Sequence, residues 1–198
     1  MAIAFVAASA VATGTGPVSV PTGYATGNLL LITAISIRTV TTPSGWTRIG
    51  TGIQTWIYYK FASASESSVT LTGASGDAIS FMLCYSGVSA LNANGAETTG
   101  VPSPATISNV TTTVDNCFLI GVYGQPINPG ANTLSTPSGT TLRASNPSLI
   151  VVDKLANTAG TYNIGSSTIS GMPFSWATQP QAFSPSATVN GNFFFMFN

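Results

Sequence analysis

The sequence predicts an all-β protein, a jelly-roll-like β-sandwich built from two similar halves. Apolar and polar residues alternate with the period of a strand over several short segments, and no segment keeps a helical period beyond about two turns. Turns rich in Gly and Pro separate these segments at the spacing typical of sandwiches. The turn Thr42-Pro-Ser-Gly45 also returns as Thr136-Pro-Ser-Gly139, an offset of 136 − 42 = 94 residues.

In the first half, strands are expected over residues 2–8, 28–36, 46–49, 54–62, 67–72 and 78–87, with a short extended piece at 18–20. The apolar run 28–36 is short and lies between Gly27 and Pro43, which favours a strand buried on both faces over a helix. In the segment 54–62, alternation places Trp56, Tyr58 and Lys60 on one face and Ile57, Tyr59 and Phe61 on the other.

In the second half, strands are expected over residues 114–123, 141–144, 149–156 and 161–164, and an apolar strand over 192–197 closes the chain. Residues 88–104 contain Asn, Gly, Ala and two prolines, and are predicted to connect the halves. Prolines assign 125–133 to a loop, and no strand is predicted in the Ser-, Pro- and Gly-rich segment 165–190.

Internal similarity supports the two halves. Asn28-Leu-Leu-Leu-Ile32 corresponds to Asn116-Cys-Phe-Leu-Ile120, and Tyr59-Lys-Phe-Ala62 corresponds to Asp153-Lys-Leu-Ala156. We therefore expect one domain over residues 1–198, with repeated halves at about 17–87 and 105–165. Each half has one sheet that is apolar on a face and needs a partner, so the halves are expected to pack face to face.

Charge is scarce and balanced. Charged residues are 5% of the 198 residues, five basic and five acidic, with no His, against about 25% charged in typical soluble domains. Without a basic patch, nucleic-acid binding is not expected. A membrane partner is not expected either, because no polybasic segment and no apolar run near about 18 residues occurs.

The two cysteines, Cys84 and Cys117, form no Cys-x-x-Cys pattern. We expect two buried free thiols. A disulfide between neighbouring strands is the alternative.

No catalytic constellation is apparent, so the chain is predicted not to be an enzyme and to need no cofactor or metal. A hydrolytic triad lacks its usual His base. A Ser-Lys pair would need Lys60 or Lys154, which are expected to be surface lysines. The five acids, which paired-carboxylate chemistry would need, are expected to be solvated turn residues: Glu66, Asp77, Glu97, Asp115 and Asp153.

Aromatic and arginine side chains are the remaining candidates for contacts. Trp46, Trp56, Tyr58, Tyr59 and Trp176 form either a sugar-stacking platform or part of the core and the cross-strand packing. Two further residues, Arg48 and Arg143, follow the two Pro-Ser-Gly turns at nearly equivalent positions. They are expected to bridge turns or edges, or to contact a partner subunit.

Four segments, taken in order, resemble a module of tailed-bacteriophage virion proteins and bacterial surface proteins: Pro21-Thr-Gly-Tyr-Ala-Thr-Gly-Asn-Leu-Leu-Leu-Ile32, Thr42-Pro-Ser-Gly-Trp-Thr47, Ile57-Tyr-Tyr-Lys-Phe-Ala62 and Phe81-Met-Leu-Cys-Tyr-Ser-Gly-Val88. The module has Gly-Asp-Leu-Leu-Leu, Pro-Pro-Ala-Gly-Trp-Thr, Tyr-Tyr-Lys-Val-Ala and Tyr-Arg-Gly-Val. The resemblance covers residues 3–198. Asn28 replaces the usual acid and Ser86 the usual Arg.

The resemblance implies a sandwich in a virion and offers no active site to transfer. We expect a capsid decoration (cement) protein on the capsid surface, made in the bacterial host cytoplasm. Its expected partners are the major capsid protein and further copies of itself, as a homotrimer. The alternative is a receptor- or carbohydrate-binding module of a tail or fibre.

Overall fold

The computed structural model describes residues 1–101, 103–126, 132–171 and 175–187. Within these ranges the chain forms eighteen strands and no helix, which confirms the all-β prediction. The predicted closing strand at 192–197 lies outside the described residues.

The first eight strands are β1 (Ala4–Ala8), β2 (Ala12–Thr13), β3 (Pro17–Val18), β4 (Leu29–Ile35), β5 (Thr47–Ile49), β6 (Thr55–Phe61), β7 (Val69–Thr70) and β8 (Ile79–Ser86). The other ten are β9 (Val88–Asn94), β10 (Thr98–Gly100), β11 (Val110–Thr112), β12 (Cys117–Gly124), β13 (Thr133–Leu134), β14 (Thr141–Asn146), β15 (Leu149–Ala156), β16 (Gly160–Tyr162), β17 (Ile169–Ser170) and β18 (Trp176–Pro185).

Two antiparallel sheets carry the fold. The first has the order β1-β8-β4-β6-β5, and β2 pairs with β8 beside β1. The second has the order β10-β18-β12-β15-β14, and β9 pairs with β18 beside β10. Three two-stranded ribbons, β3–β7, β11–β16 and β13–β17, complete the described strands.

The two sheets are built alike, as the internal similarity predicts. The segments that begin at Asn28 and Asn116 lead into β4 and β12, each the middle strand of its sheet. Strand β6 corresponds to β15, β5 to β14 and β8 to β18. The similarity extends further than the sequence showed. Strands β1 and β2 both pair with the same edge of β8, just as β9 and β10 both pair with the same edge of β18.

Two predictions about the second half are wrong. Residues 88–104 are not a plain connection, since they form β9 and β10. The segment 165–190, to which no strand was assigned, contains β17 and the ten-residue strand β18, which lies inside the second sheet.

Strand β18 tolerates an internal proline because of where it sits. The carbonyl of Pro180 accepts a hydrogen bond from the Gly95 N–H at 3.0 Å. The N–H and C=O of one strand residue point to the same side, so the Pro180 nitrogen faces the interval between β9 and β10. Proline has no backbone N–H. At Pro180 this donor is not needed, because neither β9 nor β10 pairs with β18 at that residue.

Three apolar clusters bury both faces of each sheet. The central cluster lies between the sheets and takes residues from both, such as Leu31 and Val151. The outer face of the first sheet is covered by the β3–β7 ribbon, which contributes Val18 and Val69. The outer face of the second is covered by β11–β16 and β13–β17.

Strand β4 shows how one strand contributes side chains to the clusters on both faces of its sheet. Leu29 and Leu31 enter the central cluster, while Leu30 and Ile32 enter the outer one. All seven residues of the strand are buried, as predicted for a strand covered on both faces.

Both cysteines are free and buried, which confirms the prediction of two unpaired thiols. Burial raises the pKa of the Cys84 thiol to about 11 and also raises that of Cys117. Both thiols are therefore held in the protonated form.

The sheets come very close at Gly124 of β12. A Cβ atom at this position would lie 2.1 Å from the Cγ2 atom of Ile35 on β4. Ile35 is fully buried in the central cluster, so it has little room to move away.

We predict that Gly124→Ala destabilises the protein by about 1–3 kcal/mol through overpacking. Ile35→Ala should destabilise it by about 2–5 kcal/mol, because it leaves a cavity. The double variant should lose less than the sum, since each change relieves the other. Urea denaturation of the four proteins measures this coupling.

Gly76→Ala is the matched control, because a Cβ atom there meets nothing within 4 Å. It should change the free energy of unfolding little. Strictly additive losses in the Gly124 and Ile35 pair would contradict the close approach of the sheets.

Candidate functional site

A cleft of about 440 Å³ opens beside the first Pro-Ser-Gly turn. Its walls are residues 41–46 and 66–72, with Lys60 between them. The turn is closed by a hydrogen bond from the Trp46 N–H to the Pro43 carbonyl at 3.1 Å. Gly45 has φ +78°, a conformation that suits glycine. The Thr41 N–H donates to the Thr72 carbonyl at 2.9 Å and joins the walls.

Trp46 is the aromatic residue of the cleft. Its side chain is half-buried and packs against the outer cluster of the first sheet. The Lys60 ammonium lies 5.6 Å from the centre of its ring, within range of a cation–π attraction. The ring is therefore held in place and still lines the cleft.

An ion pair lies next to this ring. Lys60 Nζ is 2.5 Å from Glu66 Oε2, and the Glu66 side chain is only 5% exposed. Glu66 Oε1 also accepts hydrogen bonds from the Ser63 N–H at 2.7 Å and its hydroxyl at 2.8 Å. Burial acts to raise the pKa of Glu66, but these hydrogen bonds and the lysine charge together lower it below 4.5. The expectation of a freely solvated Glu66 is therefore wrong.

Hydroxyl groups make up most of the remaining lining. Seven exposed residues contribute them: Thr41, Thr42, Ser44, Ser67, Ser68, Thr70 and Thr72. Within the described part of the chain, none of these side chains hydrogen-bonds to the protein. They are available to a ligand.

Three of the predicted contact residues are buried. Trp56 is 3% exposed and donates its indole N–H to the Ser36 carbonyl at 3.2 Å. Tyr58 is fully buried and donates its hydroxyl to the Val40 carbonyl at 3.0 Å. Trp176 is 5% exposed, within the outer cluster of the second sheet.

Burial of these three rings corrects the idea of a shared sugar-stacking platform. Trp56, Tyr58 and Trp176 take the alternative role of core packing, since the ribbons cover the outer sheet faces that carry them. Trp46 alone of the three tryptophans is half-exposed.

Arg48 bridges the turn between β5 and β6. Its guanidinium donates to the Gly52 carbonyl and its carbon Cζ lies 4.2 Å from the centre of the Trp56 ring. Burial raises the pKa of Tyr58 to about 12, although the charge of Arg48 acts to lower it. This intramolecular bridging is the first of the two roles expected for Arg48.

Arg143 lies in β14, at a bulge between Leu142 and Ala144. Its Nε donates to Asp153 Oδ2 at 2.5 Å, and its Cζ lies 4.7 Å from the centre of the Phe5 ring. Arg143 therefore contacts both sheets, since Phe5 belongs to β1.

Asp153 is not a solvated turn acid. Asp153 is only 2% exposed. Besides the bond from Arg143, its Oδ2 accepts a hydrogen bond from the hydroxyl of Tyr85, in the first sheet, at 3.3 Å. Burial raises the pKa of Asp153 above 3.8, against the lowering effect of Arg143. The network of Arg143, Asp153 and Tyr85 thus joins the sheets through the central layer.

Glu97 joins the halves at another point. Its carboxylate accepts hydrogen bonds from the N–H groups of Ile53, Gln54 and Thr55 at 2.8, 3.0 and 2.5 Å. The Thr55 hydroxyl adds a fourth at 2.6 Å. The loop between β9 and β10 is therefore fixed to the turn before β6, which the sequence did not indicate.

The second half carries the same turn without the same cleft lining. Thr140 lies at the position of Trp46, Lys154 at that of Lys60 and Gly160 at that of Glu66, each 94 residues later. The Thr140 hydroxyl folds back onto the Pro137 carbonyl at 2.7 Å.

Residues 167–168, which lead into β17, are bonded to Ser135 just before this second turn. Ser167 donates its hydroxyl to the Ser135 carbonyl at 2.8 Å, and the Thr168 N–H donates to the Ser135 hydroxyl at 2.8 Å. The first half has a comparable contact, since the Thr41 N–H donates to the Thr72 carbonyl where the Ser135 N–H donates to the Thr168 carbonyl. The two turns therefore differ mainly in the side chains beside them.

Sequence reasoning did not find the cleft as a unit. It singled out Trp46 but treated Lys60 and Glu66 separately. The available signal was the high density of Ser and Thr over residues 63–72. This segment contains Glu66 and follows Lys60, which has the opposite charge and lies six residues earlier.

Among the described residues, no helix is long and apolar enough to cross a membrane. The same residues bring no three Cys, Asp or Glu side chains together as candidate metal ligands. Comparisons of the chain with family models, with curated proteins and with solved structures found no match.

We predict that the Lys60–Glu66 pair stabilises the fold only while Glu66 is ionised. Because its pKa is lowered in the folded state, this stability is present above about pH 4.5 and is lost as the pH falls through the folded pKa. Wild type should therefore lose stability relative to Glu66→Gln between pH 7 and pH 3, measured by urea denaturation.

Ser67→Ala, on the exposed cleft wall, is the control and should keep the pH dependence of wild type. A gap between wild type and Glu66→Gln that stays constant with pH would refute the prediction.

Proposed function

We propose that the protein is a non-enzymatic structural component of a tailed-phage particle, and specifically a capsid decoration protein that stabilises the shell. Its partners in this proposal are the major capsid protein and further copies of itself. The observation that carries the proposal is how the molecule uses its charges.

Seven of the ten charged side chains are engaged within the molecule: Arg48, Lys60, Glu66, Glu97, Asp115, Arg143 and Asp153. Asp115, for example, accepts a hydrogen bond from the Ala159 N–H at 2.7 Å. Arg38, Asp77 and Lys154 have no such contact in the described part of the chain. A broad ionic interface is therefore not available, and attachment must rest on apolar and hydrogen-bonded contacts.

The surface offers such contacts. Phe61 on β6 and Leu155 on β15 occupy equivalent positions and are 38% and 49% exposed. Strands β5 and β14 are the end strands of their sheets, and end strands present unpaired backbone groups to a partner. Leu142 on β14 adds an exposed apolar side chain beside such groups.

The resemblance of the chain to modules of phage virion proteins supports the same proposal. Its Pro-Ser-Gly-Trp turn forms the cleft wall, and its Leu-Leu-Leu segment forms the central strand β4. A Ser-Lys nucleophile pair is disfavoured because the Lys60 ammonium is held by Glu66.

We predict that the protein stays bound to particles washed in about 1 M NaCl, because salt screens exposed ion pairs but does not weaken apolar contacts. The assay is sedimentation of washed particles followed by quantification of the protein in the pellet. Leu142→Asp should reduce the bound fraction, whereas Lys154→Gln, a loss of one exposed charge, should not.

Release of the wild-type protein by salt alone would contradict attachment by apolar contacts. Particles that carry the protein only at the tail tip in micrographs would contradict the shell location.

We also predict that the purified protein is a homotrimer at micromolar concentration. Apolar interfaces are typical of permanent oligomers, and the number three is what the resemblance to cement proteins implies, since these often sit on local three-fold axes. Sedimentation equilibrium measures the mass. A monomeric mass that does not change over this concentration range would overturn the prediction.

A further inference from the structure

We propose that the cleft at Trp46 is a binding site for a neutral pyranose residue of an oligosaccharide. The inference goes beyond the structural role proposed above and does not depend on it. The proposed ligand is an uncharged sugar, and the proposed site lies only in the first half of the molecule.

Sugar binding requires first a flat apolar surface on which the pyranose can stack, and the Trp46 ring provides it. One face of a pyranose presents C–H groups that pack against an aromatic ring, and Trp has the largest such surface. Trp46 is half-buried, fixed by the Pro43–Trp46 turn and supported by the outer cluster. A ring that is already held in place loses little conformational entropy when a ligand stacks on it.

The ion pair supplies directional hydrogen bonds. The Lys60 side chain is 24% exposed and offers ammonium protons, while Glu66, only 5% exposed, holds the ammonium at 2.5 Å. A sugar hydroxyl can accept a hydrogen bond from this oriented ammonium. Hydrogen bonds to charged groups are the stronger ones, and the Ser63 contacts keep Glu66 in position.

The charge of the cleft selects the ligand class. The Lys60–Glu66 pair sums to zero, and the other residues that line the cleft are uncharged. An acidic sugar would gain no unpaired cation here, and its carboxylate would face Glu66. The seven unengaged hydroxyls instead suit a ligand rich in hydroxyls, such as a neutral hexose.

The size of the cleft fits this ligand. About 440 Å³ lies within the range of roughly 300–1,000 Å³ common for small-molecule sites. An open, hydroxyl-lined cleft with one stacking ring predicts weak binding by a single site. An assembly that carries many copies would reach useful strength through multivalency.

The second half of the chain provides an internal comparison. Thr140 stands in place of Trp46 and turns its hydroxyl onto Pro137, and Gly160 replaces Glu66. Neither the stacking ring nor the acid of the cleft is kept there. We therefore assign sugar binding to the first half alone.

The test is a titration of the full chain with methyl β-glucoside, methyl β-galactoside and methyl α-mannoside, followed by the indole N–H signals in ¹⁵N-correlated spectra. Binding should shift the Trp46 signal and leave those of Trp56 and Trp176, which are buried, largely unchanged. Methyl glucuronide, with the same ring and an added carboxylate, should bind at least tenfold more weakly than methyl β-glucoside.

Two variants of Trp46 separate recognition from folding. Trp46→Thr, the residue that the second half carries, should abolish the shifts of the cleft amides. Trp46→Tyr keeps a stacking ring and should retain weakened binding. Thr140→Ala is the matched control in the second turn and should bind like wild type. Glu66→Gln should weaken binding at least fivefold without loss of spectral dispersion.

Absence of shifts at Trp46 with every neutral glycoside, at the highest soluble concentration, would overturn the proposal. So would unchanged binding by Trp46→Thr, or binding of the glucuronide alone. If micrographs place the protein only at tail tips but the isolated chain still binds these sugars, the sugar site stands and the shell assignment fails.

Discussion

Burial of both faces of each sheet is the constraint on which this architecture depends. The inner faces form one shared apolar layer, and each outer face needs a cover of its own. The ribbons β3–β7, β11–β16 and β13–β17 provide that cover, so strands such as β4 and β12 are buried along their whole length. Strands covered on both faces leave little room for charged side chains, and the exposed loops carry mainly uncharged residues such as Ser, Thr, Asn and Gly.

The charges that remain are used to join the two halves. Asp153 lies between the sheets, where an unpaired carboxylate would be costly, and it is matched by Arg143 and by Tyr85 from the opposite sheet. Glu97 meets three backbone N–H groups of the turn before β6. The Thr55 hydroxyl also bonds to Gln179 Oε1 across the sheets at 3.1 Å. Directional bonds of this kind favour one relative placement of the sheets, which apolar packing alone does not fix.

The internal repeat allows the two halves to differ in function while they share a fold. In the second half, the Pro-Ser-Gly turn carries Thr140, whose hydroxyl bonds to the Pro137 carbonyl. In the first half, the same turn carries Trp46 and remains open above Lys60 and Glu66. Apolar edges and exposed side chains on the common framework serve the proposed attachment, whereas this one difference between the halves creates the proposed recognition site.

Local sequence determined the strands whose signal is local. Alternation and bounding turns identified β4, β6, β8, β12 and β15, the two faces of β6, the repeat and the unpaired buried thiols, because each depends on side-chain period or on the residue type itself. Strands β9, β10 and β18 were not predicted, because their sequences are polar or, in β18, contain Pro180. Such segments become strands only when they hydrogen-bond to a neighbouring strand. The burial of Trp56, Tyr58 and Trp176 and the pairing of Asp153 were likewise decided by segments distant in the chain. The cleft itself exists only because residues 41–46 and 66–72 are brought together beside Lys60.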